Sequence, residues 1–501
     1  MNEVLSAAQW KEADATYLQV TGINSLQLME RAAVACTAWL HAQWKSVKHV
    51  VILAGHGNNG GDGLAICRLL LQKGYQVQVY RVASASYAAD NQANADLLDA
   101  KVWIDKEQLG EALQSCDAII DTLLGIGTTR KTTDEYAHCI ELVNTFRQKT
   151  IYSIDLPSGM PAELPFDEQW PVVKATHTLC LEGWKLNLLL PQGGSKAGEI
   201  HLIPLGLSEV YEPRNPIAKI SSTATLAQLL PERNRFAHKG QFGHALLIAG
   251  SQGMWGAGLL AAEACLRSGA GKTTIAGPQE MCMPLTSKLP EAMYLHSGID
   301  CWTNDLAVKP YTAIGIGPGI GKSTPTRKAF RNLLTSYRGP LVLDADALNI
   351  LADAPDLLEQ LQPNTIFTPH MGEFDRLFGQ HNNWWSRLET AQRLTKQKGW
   401  VIVLKNAYTL IFSEHLPFPL VNTTGNPGLA KGGSGDVLTG IITGLLAQGL
   451  AAPHAAALGV YLHGLSADLA KAEQHEISML ASDVVKQLAK AISSLTQTST
   501  S

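Results

Sequence analysis

Short apolar runs that close on glycine or aspartate recur along the whole chain and alternate with helical stretches, which restricts it to a largely parallel α/β architecture. Val50 to Ala54 is followed at once by Gly55, Ala118–Ile120 by Asp121, and Ile151–Ile154 by Asp155. Continuous apolar runs belong to strands covered on both faces, as in parallel sheets wrapped by helices. Strands over Gln76–Val82, Thr178–Leu181 and Ile200–Ile203, with helices from Ser25 and over Leu64–Gln72, complete a first series. A second series places strands near 245–248, 273–276, 313–316, 341–343, 365–367, 401–404 and 409–412. Helices near 257–268, 324–335, 386–397, 436–449 and 453–473 lie between or after them. Two series suit a length of 501 residues, because single cores stop growing near about 250–300 residues. The pattern dissolves between 205 and 240, where Pro213, Pro216 and Pro231 fall among charged residues around a short helix near Ala224–Leu230. The expected layout is a domain over 1–210, a linker over 211–224 and a domain over 225–501, with a Ser/Thr/Gln-rich tail beyond Ser493 that frays.

Composition excludes several classes. A net charge of −4 with no long basic run argues against nucleic acid as a partner. The cysteines Cys36, Cys67, Cys116, Cys139, Cys180, Cys265, Cys282 and Cys301 show no CxxC spacing, which fits neither a disulfide framework nor a zinc site. The first residues carry acids early and lack a basic segment before an apolar one, so no signal peptide is expected. No apolar run reaches the roughly 18–20 residues that span a bilayer. The expectation is a soluble cytoplasmic protein with no membrane partner.

Three loops at strand ends gather polar residues in the first half. Gly55-His-Gly-Asn-Asn-Gly-Gly-Asp-Gly63 sits between a strand and a helix, where glycines tighten the turn and the helix N-terminus offers amides to phosphate. Asp121 opens Asp-Thr-Leu-Leu-Gly-Ile-Gly127, and Asp155 opens Asp-Leu-Pro-Ser-Gly159. An N-cap would account for any one of these aspartates. Three at equivalent strand ends predict a shared crevice, since open parallel sheets bind ligands beyond their carboxyl ends. Lys185, in Glu-Gly-Trp-Lys-Leu, reads first as a solvated strand end, with a place in the site as the alternative.

In the second half, Ala430-Lys-Gly-Gly-Ser-Gly-Asp-Val-Leu-Thr-Gly440 points successive backbone amides inward as an anion-binding nest at a helix start. Asp436 would repel phosphate if binding were the only task, but suits a base that deprotonates an attacking hydroxyl. Other strand ends carry Gly317-Pro-Gly319, Asp344-Ala-Asp346, His370 with Glu373, and Lys405. Gly269-Ala-Gly-Lys-Thr273 and Gly319-Ile-Gly-Lys-Ser323 are not P-loops, because Leu266 and Ile316 stand where the first glycine belongs.

Residues 1–210 resemble the epimerase domain of the NAD(P)HX repair proteins, which implies a Rossmann-like three-layer α/β/α fold. The resemblance implies that Asn58, Asn59, Gly60, Gly61 and Asp62, with Gly125, Ile126, Gly127, Thr128, Thr129, Arg130 and Lys131, hold the hydrated cofactor. It further implies potassium on Asn59, Asp121 and Ser158, and Asp155 facing the nicotinamide ring as general acid or base. Residues 225–495 resemble the ribokinase-like fold and its ADP- or ATP-dependent NAD(P)HX dehydratase branch, through Lys239-Gly-Gln-Phe-Gly243, Gly256-Ala257, Gly317-Pro-Gly319, Thr368-Pro-His-Met-Gly-Glu373 and Gly433-Ser-Gly-Asp436. That resemblance implies hydrated NADH or NADPH on Ala257, Gly319, His370 and Asp436. Lys405, Asn406, Ala407, Tyr408, Thr409 and Gly435 would bind ADP or ATP, with Mg2+ on its phosphates. A homo-oligomer is implied as well. The competing expectations are a ribokinase-like small-molecule kinase with an N-terminal nucleotide-binding domain, and a nucleotide sensor without turnover.

Overall fold

The computed structural model describes residues 2–498. The chain divides into two compact units, Met1–Ala218 and Lys219–Ser501.

In the first unit six parallel strands run in the order Gln76–Arg81, His49–Ala54, Ala118–Thr122, Thr150–Ile154, His177–Leu181 and Glu199–Ile203. Successive side chains of a strand point to opposite faces, and both faces here are apolar. Val50, Ile52, Ala118 and Ile120 pack beneath Leu28, Ala32, Leu64 and Leu70 of the helices Ser25–Gln43 and Asn58–Gln72. Val51, Leu53 and Ile119 pack on Leu109, Leu113 and Ile140 of the helices Lys106–Ser115 and Asp134–Thr145. The unit is thus the expected three-layer α/β/α sandwich. One boundary differs: the helix expected from Leu64 begins at Asn58, so the Asn-Asn-Gly-Gly-Asp stretch forms its first turn instead of a loop before it. Asn91, fully buried, donates to the carbonyls of Gly55 (2.9 Å) and Gly57 (2.6 Å) and fixes that start.

In the second unit the sheet runs Met293–Gly298, Lys272–Pro278, His244–Ile248, Ala313–Ile316, Leu341–Leu343, Ile366–Phe367, Val401–Leu404, Leu410–Phe412, Leu420–Val421 and Ala218–Ile220. The strands through Val401–Leu404 are parallel, and the next two pair antiparallel. The strands Met293–Gly298, Leu420–Val421 and Ala218–Ile220 were not among those expected. Each is short or mixes polar residues into its pattern, as strands at the margins of a sheet do. Ala218–Ile220 falls inside the stretch expected to be a linker. One face of the sheet packs on the helices Trp255–Arg267, Ser434–Ala447 and Ala452–Glu473. The other packs on Thr324–Ser336 and Ala345–Asp353. As far as residue 498 the tail is helical and not frayed: Ala481–Thr498 buries Val484, Val485, Leu488, Ala491 and Leu495, an apolar stripe at helical spacing that outweighs its polar composition. Residues 499–501 lie outside the described residues. Among the described residues no helix is long and apolar enough to cross a membrane.

The helices Trp255–Arg267 and Ser434–Ala447 approach so closely that a Cβ on Gly440 would lie 2.1 Å from the carbonyl oxygen of Ala261. Gly440→Ala should therefore force the pair apart and destabilise this unit by about 1–3 kcal/mol. Scanning calorimetry of the full chain checks it, and an unchanged unfolding temperature would contradict the close packing.

Candidate active sites

Strand order places the sites. In the first unit the chain leaves His49–Ala54 toward Gln76–Arg81 on one side and returns to Ala118–Thr122 on the other. In the second it leaves His244–Ile248 toward Lys272–Pro278 and returns to Ala313–Ile316. At such a switch point adjacent loops diverge and leave a crevice beyond the carboxyl ends of the strands. The loops 55–62 and 121–131 flank the first point, and 250–257 and 317–321, which contain the expected Ala257 and Gly319, flank the second.

In the first unit the crevice is a cavity of about 940 Å³. Asn58, Asn59, Asp62, Asp155 and the run from Gly125 to Lys131 line it as expected. Gly60 and Gly61 do not: a Cβ on Gly60 would strike the Gly55 carbonyl at 2.0 Å, and one on Gly61 the Met29 side chain at 2.8 Å. These two glycines seat the helix against its neighbours and do not touch the cavity. Arg130 and Lys131 are exposed at the rim.

Asp155 adopts a left-handed backbone, φ +68°, which costs a non-glycine residue about 1–2 kcal/mol and turns its carboxylate into the cavity. Lys185 is not solvated as its first reading held. It is 2% exposed, and its Nζ donates to Asp155 Oδ1 at 2.5 Å and to the Leu181 carbonyl at 2.7 Å. The ammonium also lies 4.8 Å from the centre of the Trp10 ring. Burial is the largest single influence on the Lys185 pKa and lowers it, but the charges of Asp155 and Cys180 and the hydrogen bonds to both together leave the value above that of an ordinary lysine. A second acid, Asp14, lines the same cavity. Burial, then the nearby charge of Asp155, raises its pKa to about 6, against the opposing pull of Lys185. Asp62 is raised well above the carboxylate range for the same reasons, with Asp14 and Asp90 adding to the effect of Asp155. Asp14 and Trp10 went unforeseen because they sit inside the helix Ala7–Thr21, in a sequence with no glycine or strand end to mark a site.

Below the cavity Asp121 is fully buried. Its oxygens accept from Ser153 Oγ (2.7 Å), Ser158 Oγ (2.5 Å), Ser158 N (2.9 Å) and Leu123 N (3.3 Å). Burial raises its pKa despite these bonds, and among the described residues no lysine, arginine or histidine forms an ion pair with it. The Ser158 hydroxyl also accepts from Leu124 N at 2.8 Å. Asn59 is buried at both amide atoms without a partner. It stands beside Asp155 across Gly125, where a Cβ would lie 3.3 Å from Asn59 Cγ and 3.5 Å from Asp155 Oδ2.

In the second unit the helix Ser434–Ala447 starts from Gly433 at φ +93°, a conformation that only glycine adopts freely. Asp436 thus falls in its first turn. A Cβ on Gly435 would lie 3.6 Å from both Asp344 Oδ2 and Lys405 Nζ. Lys405 donates to Asp344 Oδ1 at 2.9 Å and lies 3.9 Å from Glu373. Thr439 Oγ1 donates to the other Asp344 oxygen at 2.7 Å. Burial raises the Asp436 pKa to about 6, Asp344 and Asp346 add to it, and Lys405 opposes. Gly319 lies against Ala257: a Cβ added to it would fall 3.3 Å from the Ala257 Cβ. Gly433 contacts Leu260, one turn further along the same helix. His370 does two things at once. Its Nδ1 accepts from Gly372 N (3.0 Å) and Glu373 N (3.4 Å), capping the helix Met371–Phe378, and it pairs with Lys405 through a backbone bridge. The loop 405–409 turns between two antiparallel strands. Asn406 Oδ1 accepts from Tyr408 N at 2.7 Å, and Asn406 Nδ2 is buried without a partner.

Residues 25–187 match the family described as YjeF-related protein N-terminus, and residues 245–490 the family described as NAD(P)H-hydrate dehydratase. A bifunctional NAD(P)H-hydrate repair enzyme Nnr of Coxiella burnetii is 36% identical over 477 residues, 93% of this chain and 95% of that one. Its Escherichia coli counterpart is 32% identical over 482 residues, 94% and 90% of the two chains. A solved ADP/ATP-dependent NAD(P)H-hydrate dehydratase of Bacillus subtilis is 33% identical, covering 55% of this chain and 98% of its own, with a TM-score of 0.49.

The raised Asp436 pKa makes that carboxylate a liability to folding at neutral pH. An aspartate that ionises at 3.8 unfolded and at about 6 folded costs nothing below the first value, and its penalty grows as pH rises to the second. Asp436→Asn should therefore stabilise the second unit by about 1–3 kcal/mol at pH 7 and leave it unchanged near pH 4. Thermal unfolding at the two pH values checks this, and equal gains at both would contradict it.

Proposed function

This chain belongs to the family of bifunctional NAD(P)H-hydrate repair enzymes, and from that premise we propose how its residues divide the work. The enzyme interconverts the R and S forms of hydrated NADH and NADPH and dehydrates the S form at the expense of ADP or ATP. One activity feeds the other, so the two together clear both epimers.

The first cavity is proposed as the epimerase site. Amides at the start of the helix Asn58–Gln72 and the run Gly125–Lys131 would take the phosphates of the substrate, with Arg130 and Lys131 adding charge at the rim. Asp155 would move the proton at the hydrated ring. The observation that supports this is its carboxylate, aimed into the cavity by a left-handed backbone and held there by buried Lys185. Potassium is proposed on Asn59, Asp121 and Ser158, where it would supply the positive charge that buried Asp121 lacks. The orphaned amide of Asn59 and the unpaired acid fit a hard cation bound by oxygens.

The second site is proposed to phosphorylate the C6 hydroxyl. Asp436 would take the hydroxyl proton as the oxygen attacks the terminal phosphorus of ADP or ATP. The resulting ester loses inorganic phosphate and restores the dihydronicotinamide, a route that replaces hydroxide by a far better leaving group. The nest at Gly432–Gly435 would hold the moving charge, a role worth about 3–4 kcal/mol per well-placed donor. Ala257, Gly319 and His370 would hold the hydrated cofactor, and Lys405–Thr409 with Gly435 the adenine nucleotide. Mg2+ is proposed on the nucleotide phosphates, beside the carboxylates Asp344, Asp346 and Glu373. A cytoplasmic location and a homo-oligomer complete the proposal.

Asp155→Asn should slow R-to-S interconversion, and Asp436→Asn the dehydration, each by about 10²–10⁴-fold without loss of the other activity. Recovery of reduced-nicotinamide absorbance from each purified epimer reads both rates. A phosphorylated product that accumulates without eliminating would point instead to a plain kinase. Potassium should raise the unfolding temperature of the first unit more than sodium does, and Asn59→Ala should remove that difference. An equal response of the two proteins would overturn the cation assignment.

A further inference from the structure

At the other, amino-terminal end of the first sheet, three side chains with metal-ligating atoms converge outside both sites. His177 and Glu199 begin adjacent parallel strands and are register partners, and His201 follows two residues after Glu199, on the same face. His177 Nδ1 and His201 Nε2 are 3.1 Å apart. The Glu199 carboxylate oxygen is 3.7 Å from the first and 4.0 Å from the second. One ligand atom from each lies within 4.8 Å of the others.

We propose that His177, His201 and Glu199 form a binding site for a divalent transition-metal ion of the zinc or cobalt class. Nitrogens at about 2.0–2.1 Å from a tetrahedral zinc are separated by about 3.3–3.4 Å, so the two imidazoles stand within a few tenths of an ångström of the required spacing. Two imidazoles and one carboxylate are a donor set that suits zinc or cobalt and not magnesium or calcium. Three protein ligands leave a fourth position for water.

The rings are held before any ion arrives. Tyr152 stacks on His177 at 5.2 Å between centroids, and Trp39 packs on His201 at 4.3 Å. Gly198, at φ +61°, admits the close turn that brings Glu199 alongside, since a Cβ there would fall 2.1 Å from the Thr176 carbonyl. Glu199 is the exposed member, with 70% of its side chain open to solvent, so a change of rotamer can bring its carboxylate onto the ion. The site lies at the opposite ends of the strands from Asp155, so its role would be to clamp the last two strands together.

The test is a Co2+ titration of the full chain, prepared without a polyhistidine tag, followed by visible absorption and with Zn2+ competition. The expected result is one equivalent bound with a nitrogen-ligand spectrum. That equivalent should weaken at least tenfold in Glu199→Gln and disappear in the double variant His177→Asn/His201→Gln. Zn2+ should raise the unfolding temperature of the wild type and not of the double variant, while both catalytic rates stay unchanged. If the double variant fails to fold, Glu199→Gln, which leaves both rings in place, decides the question alone. No binding by the wild type, or the same titration in the variants, overturns the proposal and leaves the two histidines as a hydrogen-bonded pair.

Discussion

A carboxylate withdrawn from water must gain a proton or a partner cation, and both halves of this enzyme are arranged around that requirement. Asp155 has Lys185 at 2.5 Å, and Asp344 has Lys405 at 2.9 Å. Asp14 and Asp436 have only a share of those cations, so their pKa values climb to about 6. Asp121 has hydrogen bonds and, among the described residues, no cation. The consequence is that each site sets an acid paired with a lysine beside one poised to exchange a proton near neutrality, an arrangement suited to acid–base work on a substrate.

Parallel strands make the gradation possible. Their carboxyl ends bring several loops to one crevice, and the chain breaks its own conformational preferences there to aim the acids. Asp155 at φ +68° and Ala345 at φ +46° each occupy the left-handed region directly at or after a strand end. Strain of this kind persists only where the surrounding structure over-determines it. In the first unit the Lys185 pair does so, and in the second the bonds from Lys405 and Thr439 to Asp344.

Much of this was legible in the residues. Continuous apolar runs gave the strands, and glycines and aspartates at their ends gave the cavity of the first unit and the cluster around Asp436 in the second. What escaped notice shares one property: it depends on burial, which sequence spacing does not report. Lys185 lies four residues past a strand and looks like a solvated end until Trp10, from a helix 175 positions earlier, covers it. Asp14 looks like any acid on a helix. Gly60 and Gly61 fit a ligand loop by composition, and the absence of a side chain there also admits the close packing on Gly55 and Met29. The tail failed in the opposite sense, because its polar residues hide an apolar stripe that only helical phase reveals.

The capping role of His370 fixes more than the start of a helix. With Nδ1 committed as acceptor to two backbone amides, the neutral ring must carry its hydrogen on Nε2, on a side chain that is 55% exposed. Whatever approaches that face meets a donor and never a lone pair. A bound molecule that meets that hydrogen must therefore present an oxygen or an unprotonated nitrogen, as the Glu373 carboxylate does from 3.5 Å away. Selection by polarity is thereby written into the fold before any ligand arrives.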